Sequence, residues 1–124
     1  MLPLTDYLVL SLPDSSQTRD IINADILEKI NSSAMLINVG RGTAINEDDL
    51  TDALNDGKIA AAALDTTRVE PLDANSSLWT SKNCFISAHD SAHSLLSLER
   101  AFELFFQNIK NIQNGDQVVN LYSE

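Results

Sequence analysis

The sequence predicts an α/β fold built on a parallel sheet with helical crossovers. Short apolar runs alternate with amphipathic or helix-capped segments in the order strand, helix, strand, helix, strand, loop, strand, helix. The runs are too short for membrane spans or long core helices. Each is followed at once by a turn, charged or imidazole residue: Pro13, Gly40-Arg41, Asp65 and His89.

The first run, Tyr7-Leu8-Val9-Leu10-Ser11-Leu12, is nearly continuous and stops at Pro13, the pattern of a strand covered on both faces. A polar loop, residues 14–18, follows. A helix is expected from Asn23 or Asp25, with Ile26, Leu27 and Ile30 buried and Glu28 and Lys29 outside. Met35 to Val39 form the second strand, which runs into Gly40-Arg41-Gly42. Flanking glycines allow a sharp turn and let a ligand approach the main chain. Asn46-Glu47-Asp48-Asp49 places acids at a helix start, where they suit its dipole, and Gly57 fits its stop.

Alanine favours helix, yet Ile59 to Leu64 is read as a strand because it follows a capped helix in an alternating pattern. Residues 66–82 read as loop, with Leu72, Leu78 and Trp79 pinning it to the body. Cys84 to Ala88 is a strand ending at His89. The last helix, about Leu95 to Gln113, aligns Leu98, Phe102, Phe105, Ile109 and Ile112 on one face. Gly115 ends it, before an apolar tail of Val118, Val119 and Leu121.

At 124 residues the chain is one domain by size, with 44% hydrophobic and 21% charged residues. A formal net charge of −10 argues against a nucleic-acid partner. Cys84 is the single cysteine, expected to be a small buried residue in a reducing compartment. No stretch approaches the roughly 20 apolar residues of a membrane span, and no basic leader precedes an apolar segment. The expected location is therefore the cytoplasm, with no membrane partner.

Parallel strands place all four strand ends on one edge, where ligands of open sheets bind. Arg41, Asp65 and His89 gathered there form a candidate active site, and Glu70 lies in a loop that could reach His89. A glutamate beside an imidazole favours its protonated form and fixes its orientation. Arg41, a planar fork of donors, suits a small carboxylic acid held beside a nucleotide cofactor. Each residue also has a plainer reading. Arg41 can cap a surface turn and pair with local acids, and Asp65 can cap a turn. Glu70 can be a solvated loop acid and His89 a structural histidine. His89 and His93 suggest a metal pair without an obvious third ligand, so no metal is expected. Cys84 lacks activating neighbours for a nucleophile.

At these residues the chain resembles the D-isomer-specific 2-hydroxyacid dehydrogenases. The matching motifs are Asn38-Val39-Gly40-Arg41-Gly42, Ala63-Leu64-Asp65, Glu70-Pro71-Leu72, Ser77-Leu78-Trp79 and the strand from Asn83 to His89. The closing helix and return strand, residues 106–120, with Leu12-Pro13, Thr18 and Ile22-Asn23, extend the likeness over almost the whole chain. The resemblance implies a Rossmann-like half-domain of about four parallel strands with crossover helices and a C-terminal helix, lacking the first βαβ half. Residues 1–124 would then be a partial NAD-binding domain.

It implies hydride transfer between NAD or NADP and a small 2-keto or 2-hydroxy acid. Arg41 would bind the substrate carboxylate, His89 would be the acid/base, and Glu70 would support its charge. Asp65 would contact the nicotinamide amide, while Pro13, Thr18, Val39 and Gly40, with Arg41 and His89, would line the cofactor. The full-length protein is expected to be a homodimer. The sequence departs from the family at Ala88, where proline is usual, at Asp90, and at Thr66-Thr67-Arg68-Val69. No Gly-x-Gly-x-x-Gly occurs, since the four glycines are Gly40, Gly42, Gly57 and Gly115. The chain alone is therefore expected to be inactive, and the alternative is a non-catalytic interaction or oligomerisation module.

Overall fold

The structure, a computed structural model, describes residues 2–121, so residue 1 and residues 122–124 of the expected span lie outside the described residues. The chain divides into two compact units, one up to Ser91 and one from Ala92 onward.

The first unit is organised on a sheet of β1 (Tyr7–Leu10), β2 (Met35–Asn38), β3 (Ala61–Leu64) and β4 (Cys84–Ile86), in that spatial order and all parallel. The register pairs Leu10 with Asn38, Asn38 with Leu64, and Leu64 with Ile86, so the carboxyl ends finish level with one another. β1 forms a sheet edge. Helix α1 (Ala24–Leu27) is one turn, capped by the Asn23 side chain accepting from the Ile26 amide. It ends before Ile30, short of the expected helix, although Leu27 and Ile30 are both buried. Helix α2 (Glu47–Asn55) is capped by Asn46, with Glu47, Asp48 and Asp49 in its first turn and Gly57 at φ +70 beyond its end. Leu50, Ala53 and Leu54 fill its buried face.

The core lies on one side of the sheet. Leu36, Ala62 and Leu64 meet Leu27, Leu50, Leu54 and Leu78 in a single buried cluster. Alternate residues of the same strands face the other way, and there Tyr7, Val9 and Phe85 are exposed. The expectation that the first strand is covered on both faces is corrected accordingly. β1 is also shorter than expected, ending at Leu10 where Val39 donates the last pairing bond. β3 starts at Ala61, leaving Ile59 buried in the preceding turn.

The loop 66–82 holds a short 3-10 turn, Ser77–Thr80. Leu78 is buried and Leu72 partly buried, so both pin the loop as expected. Trp79 does not: it is 54% exposed, its indole N–H donating to the Asp73 carbonyl at 2.9 Å, which keeps the ring at the surface.

The second unit is the helix α3 (Ser97–Asn114), closed by Gly115 at φ +76. Phe105 and Phe106 meet edge to face at 5.6 Å. The expected return strand is a turn instead. Asn108 pairs with both backbone groups of Val119, and Asn111 donates to the Gln117 carbonyl, so helix side chains satisfy the backbone a strand partner would have taken.

Candidate active site

The register of the four strands brings Val39 to Arg41, Asp65 and Ser87 to His89 to one sheet edge. Each turn there has its own means of support.

After β2, Asn38 is fully buried and closes the turn on itself. Its Oδ1 accepts from the Gly40 amide at 3.0 Å, and its Nδ2 donates to the Arg41 carbonyl at 3.1 Å. Nothing in the sequence reading singled out this residue. A buried amide in an apolar strand was the available signal, since such a group must find partners. Gly40 and Gly42 have a different reason from the one expected. A Cβ on Gly40 would lie 2.7 Å from the backbone nitrogen and oxygen of Leu12, and one on Gly42 would collide with the Thr67 carbonyl. The missing side chains admit neighbouring protein backbone. Arg41 is exposed and donates to the Gly40 carbonyl at 2.8 Å. Among the described residues it forms no salt bridge, although its charge is felt at Glu70.

After β3, Asp65 is buried and continues the ladder, its amide donating to the Asn38 carbonyl. Its carboxylate accepts from Ser87 Oγ at 2.7 Å and the Asp90 amide at 3.0 Å on Oδ1, and from the Ser91 amide at 3.0 Å on Oδ2. The Ser87 hydroxyl first, with help from Ser91 and the two amides, holds this carboxyl well below the usual carboxylate range.

His89 and Glu70 meet. Nδ1 of His89 lies 2.8 Å from Glu70 Oε2, while Glu70 Oε1 accepts from the Thr67 amide at 3.1 Å. The hydrogen bond to His89, followed by the Thr67 amide, lowers the Glu70 pKa from its ordinary value. An ionised Glu70 can only accept, so Nδ1 carries the proton and donates it. Nε2 has no hydrogen-bond partner among the described residues. The neutral ring thus offers Nε2 as a base and the charged ring offers it as an acid. His89 stands at φ +56, a backbone region that side-chain-bearing residues seldom occupy. The Glu70–Pro71 peptide is cis.

A cavity of about 350 Å³ opens beside this pair, lined among others by Leu72, Trp79, Ile86 and Ala88. A second, of about 190 Å³, lies against Ile37, Val39, Asp65 and Phe85 at the strand ends. Val39 is exposed beside Gly40. Pro13 and Thr18 fold together after β1, Thr18 Oγ1 donating to the Pro13 carbonyl at 2.7 Å.

Of the departures at 66–69, Arg68 has a local explanation. Arg68 pairs with Asp20 and donates to the Ile45 carbonyl, and its amide donates to Glu47 at 2.6 Å, tying the loop to α2. Asp90 forms no ion pair with His89 among the described residues, and its amide serves Asp65 instead. The Cys84 thiol is pushed up to about 11, by burial first and by the Glu47 charge second, which suits an inert thiol. Among the described residues no three His, Cys, Asp or Glu side chains converge on a metal position, so the His89–His93 alternative gains no third ligand. No helix of the described residues is long and apolar enough to cross a membrane.

Comparison with known proteins bears on the same edge. The profile of the family described as D-isomer specific 2-hydroxyacid dehydrogenase, NAD binding domain, matches residues 1–91. A human glyoxylate reductase/hydroxypyruvate reductase is 44% identical over 85 residues, 68% of this chain and 26% of that protein. A hydroxypyruvate reductase of Blautia hydrogenotrophica is 34% identical over 118 residues, 95% of this chain and 37% of that protein. The crystal structure of a D-isomer specific 2-hydroxyacid dehydrogenase from Xanthobacter autotrophicus, in complex with NADPH and MES, superposes with a TM-score of 0.89. It is 34% identical, over 98% of this chain and 50% of its own. The chain spans half or less of the length of these relatives. With a family profile covering most of its length and a sheet that superposes on a solved member, this chain belongs to the D-isomer specific 2-hydroxyacid dehydrogenase family, in its NAD-binding domain.

Proposed function

We propose that this chain carries the acid–base and carboxylate-binding residues of an NAD(P)-dependent D-2-hydroxyacid dehydrogenase, with small 2-keto acids such as glyoxylate and hydroxypyruvate as substrates. The observation that carries the reading is the His89–Glu70 pair, whose free Nε2 shares a sheet edge with an Arg41 guanidinium that forms no salt bridge among the described residues and only adds its charge to the field at Glu70. The Arg41 fork binds the substrate carboxylate and polarises the neighbouring carbonyl. During reduction the His89 Nε2–H proton passes to the carbonyl oxygen, and during oxidation Nε2 takes it back. Glu70 accepts from Nδ1 throughout, which orients the ring and stabilises its charged form.

The residues present fit the nicotinamide end of a dinucleotide. Val39, Ile37 and Phe85 supply apolar walls beside Asp65 in a cavity of about 190 Å³, with Gly40, Pro13 and Thr18 at neighbouring strand ends. When bound, NAD or NADP supplies the hydride chemistry. The 124 residues contain no Gly-x-Gly-x-x-Gly run, so they are proposed not to turn over substrate by themselves. The same reading takes the full-length protein as a cytoplasmic homodimer, which sedimentation and fractionation test.

Turnover of glyoxylate and hydroxypyruvate by the full polypeptide carrying these residues, with NADH or NADPH oxidation followed at 340 nm, is the direct test. Activity abolished by His89→Gln supports the reading, and an inert protein against a broad panel of 2-keto acids sinks it. The module alternative draws on the exposed sheet face at Tyr7, Val9 and Phe85. It requires a defined oligomer that persists without any turnover.

A further inference from the structure

The His89 turn is bracketed by one buried carboxylate. Asp65 takes the Ser87 hydroxyl two residues before His89, the Asp90 amide one residue after it, and the Ser91 amide two residues after it. The histidine between those contacts is the residue with φ +56. A left-handed conformation at a non-glycine residue persists only where its surroundings over-determine it. Asp65 is itself fixed, because its amide belongs to the sheet ladder on β2 and its side chain is buried.

We propose that Asp65 is a positioning residue, a clamp that sets the backbone of the His89 turn through Ser87, Asp90 and Ser91 and so aims Nε2 at the reacting carbonyl. The proposal rests on the dehydrogenase reading and deepens it. The carboxylate has about four acceptor positions, and at least three are filled from within the protein. At most one remains for a cofactor amide. Ionisation suits the clamp, since all three partners are donors, and the Ser87 hydroxyl first, then the Ser91 side chain and the two amides, hold the Asp65 carboxyl well below the usual carboxylate range. The Ser87 hydroxyl makes its hydrogen bond to Asp65 and not to His89, which makes it the cleaner handle.

Ser87→Ala removes one of the three contacts and leaves the Asp65 carboxylate in place. In the full-length protein the expected result is a roughly ten-fold fall in kcat, the size of one hydrogen bond to a charged group. The cofactor KM should stay within about two-fold, and Ser87→Thr should restore kcat. Asp65→Asn, which turns an NH₂ toward the donor amides, should cost about a hundred-fold in kcat. Two readouts do not depend on turnover. Hydrogen exchange at the Asp90 and Ser91 amides should accelerate in both Ser87→Ala and Asp65→Asn, and the NMR signal of the His89 Nδ1–H should weaken or vanish. If both variants leave the exchange rates and the imidazole signal as in the parent, the clamp is refuted. It is equally refuted if Ser87→Ala raises only the cofactor KM, because Asp65 would then act on the cofactor alone. Exchange changes as expected in a protein inert toward every 2-keto acid would uphold the clamp and overturn the dehydrogenase reading, so the two failures are distinguishable.

Discussion

The turn after β2 and the turn after β4 present Arg41 and His89 at the same sheet edge, but they are held by opposite means. The Arg41 turn is held by contact. Asn38 closes it from inside, and two neighbouring segments of backbone press into the space left by Gly40 and Gly42. The His89 turn is held by charge and hydrogen bonds, with Asp65 gripping its flanks and Glu70 gripping the ring. The first arrangement excludes bulk and is insensitive to pH. The second depends on carboxylates remaining ionised. The proposed roles ask for this division: a carboxylate-binding cation needs only a place, whereas a proton donor needs an orientation and a protonation state.

The largest effect should come from bulk in the first turn. Gly42→Ala drives a methyl group into the Thr67 carbonyl and is expected to cost about 3 kcal/mol or more of unfolding free energy, measured by urea denaturation. An unchanged midpoint would break the contact half of the comparison. Next, Arg41→Gln should lower kcat/KM of the full-length enzyme about a hundred-fold, roughly 2.7 kcal/mol, while leaving thermal stability unaltered. The stability half follows from the absence of an ion pair to Arg41 among the described residues, and a large drop in Tm would reveal a structural role instead. Asn38→Ala strands the buried Gly40 amide and should cost about 2 kcal/mol.

The smallest effect concerns pH. Glu70 has a lowered folded-state pKa, set first by its hydrogen bond to His89. Its stabilisation is therefore complete above the ordinary carboxylate value and is lost as pH falls through the lowered one. Both partners are over a third exposed, with side chains 45% and 41% accessible, so solvent screening limits the difference to at most about 1 kcal/mol. Glu70→Gln should be slightly less stable than the parent at pH 7 and equal to it near pH 2. A gap that widens on acidification would contradict the charge half of the comparison.

Much of this site was legible in the sequence because strands announce themselves by apolar runs and end where the run ends. Parallel pairing then places Arg41, Asp65 and His89 on one edge whatever their separation along the chain. Motif spacing located Glu70 near His89, and the caps at Asn23 and Asn46 were visible from residue type and position. What escaped was whatever depends on two segments meeting in space. Gly42 reads as a sharp-turn glycine until Thr67 is seen lying against it. Asn38 reads as one more strand residue until its amide is found bridging the turn. Trp79 reads as an anchor until the Asp73 carbonyl draws its indole to the surface.

The sequence by itself determined the alternation of elements, the parallel sheet and the chemical identity of the residues at its edge, because periodicity and residue type are local properties of the chain. Only the tertiary structure decided what holds those residues in place, and that Asp65 hydrogen-bonds the residues on either side of His89. Hydrogen-bond partners and steric fit are set by distances between segments 20 to 30 residues apart, which no local pattern encodes.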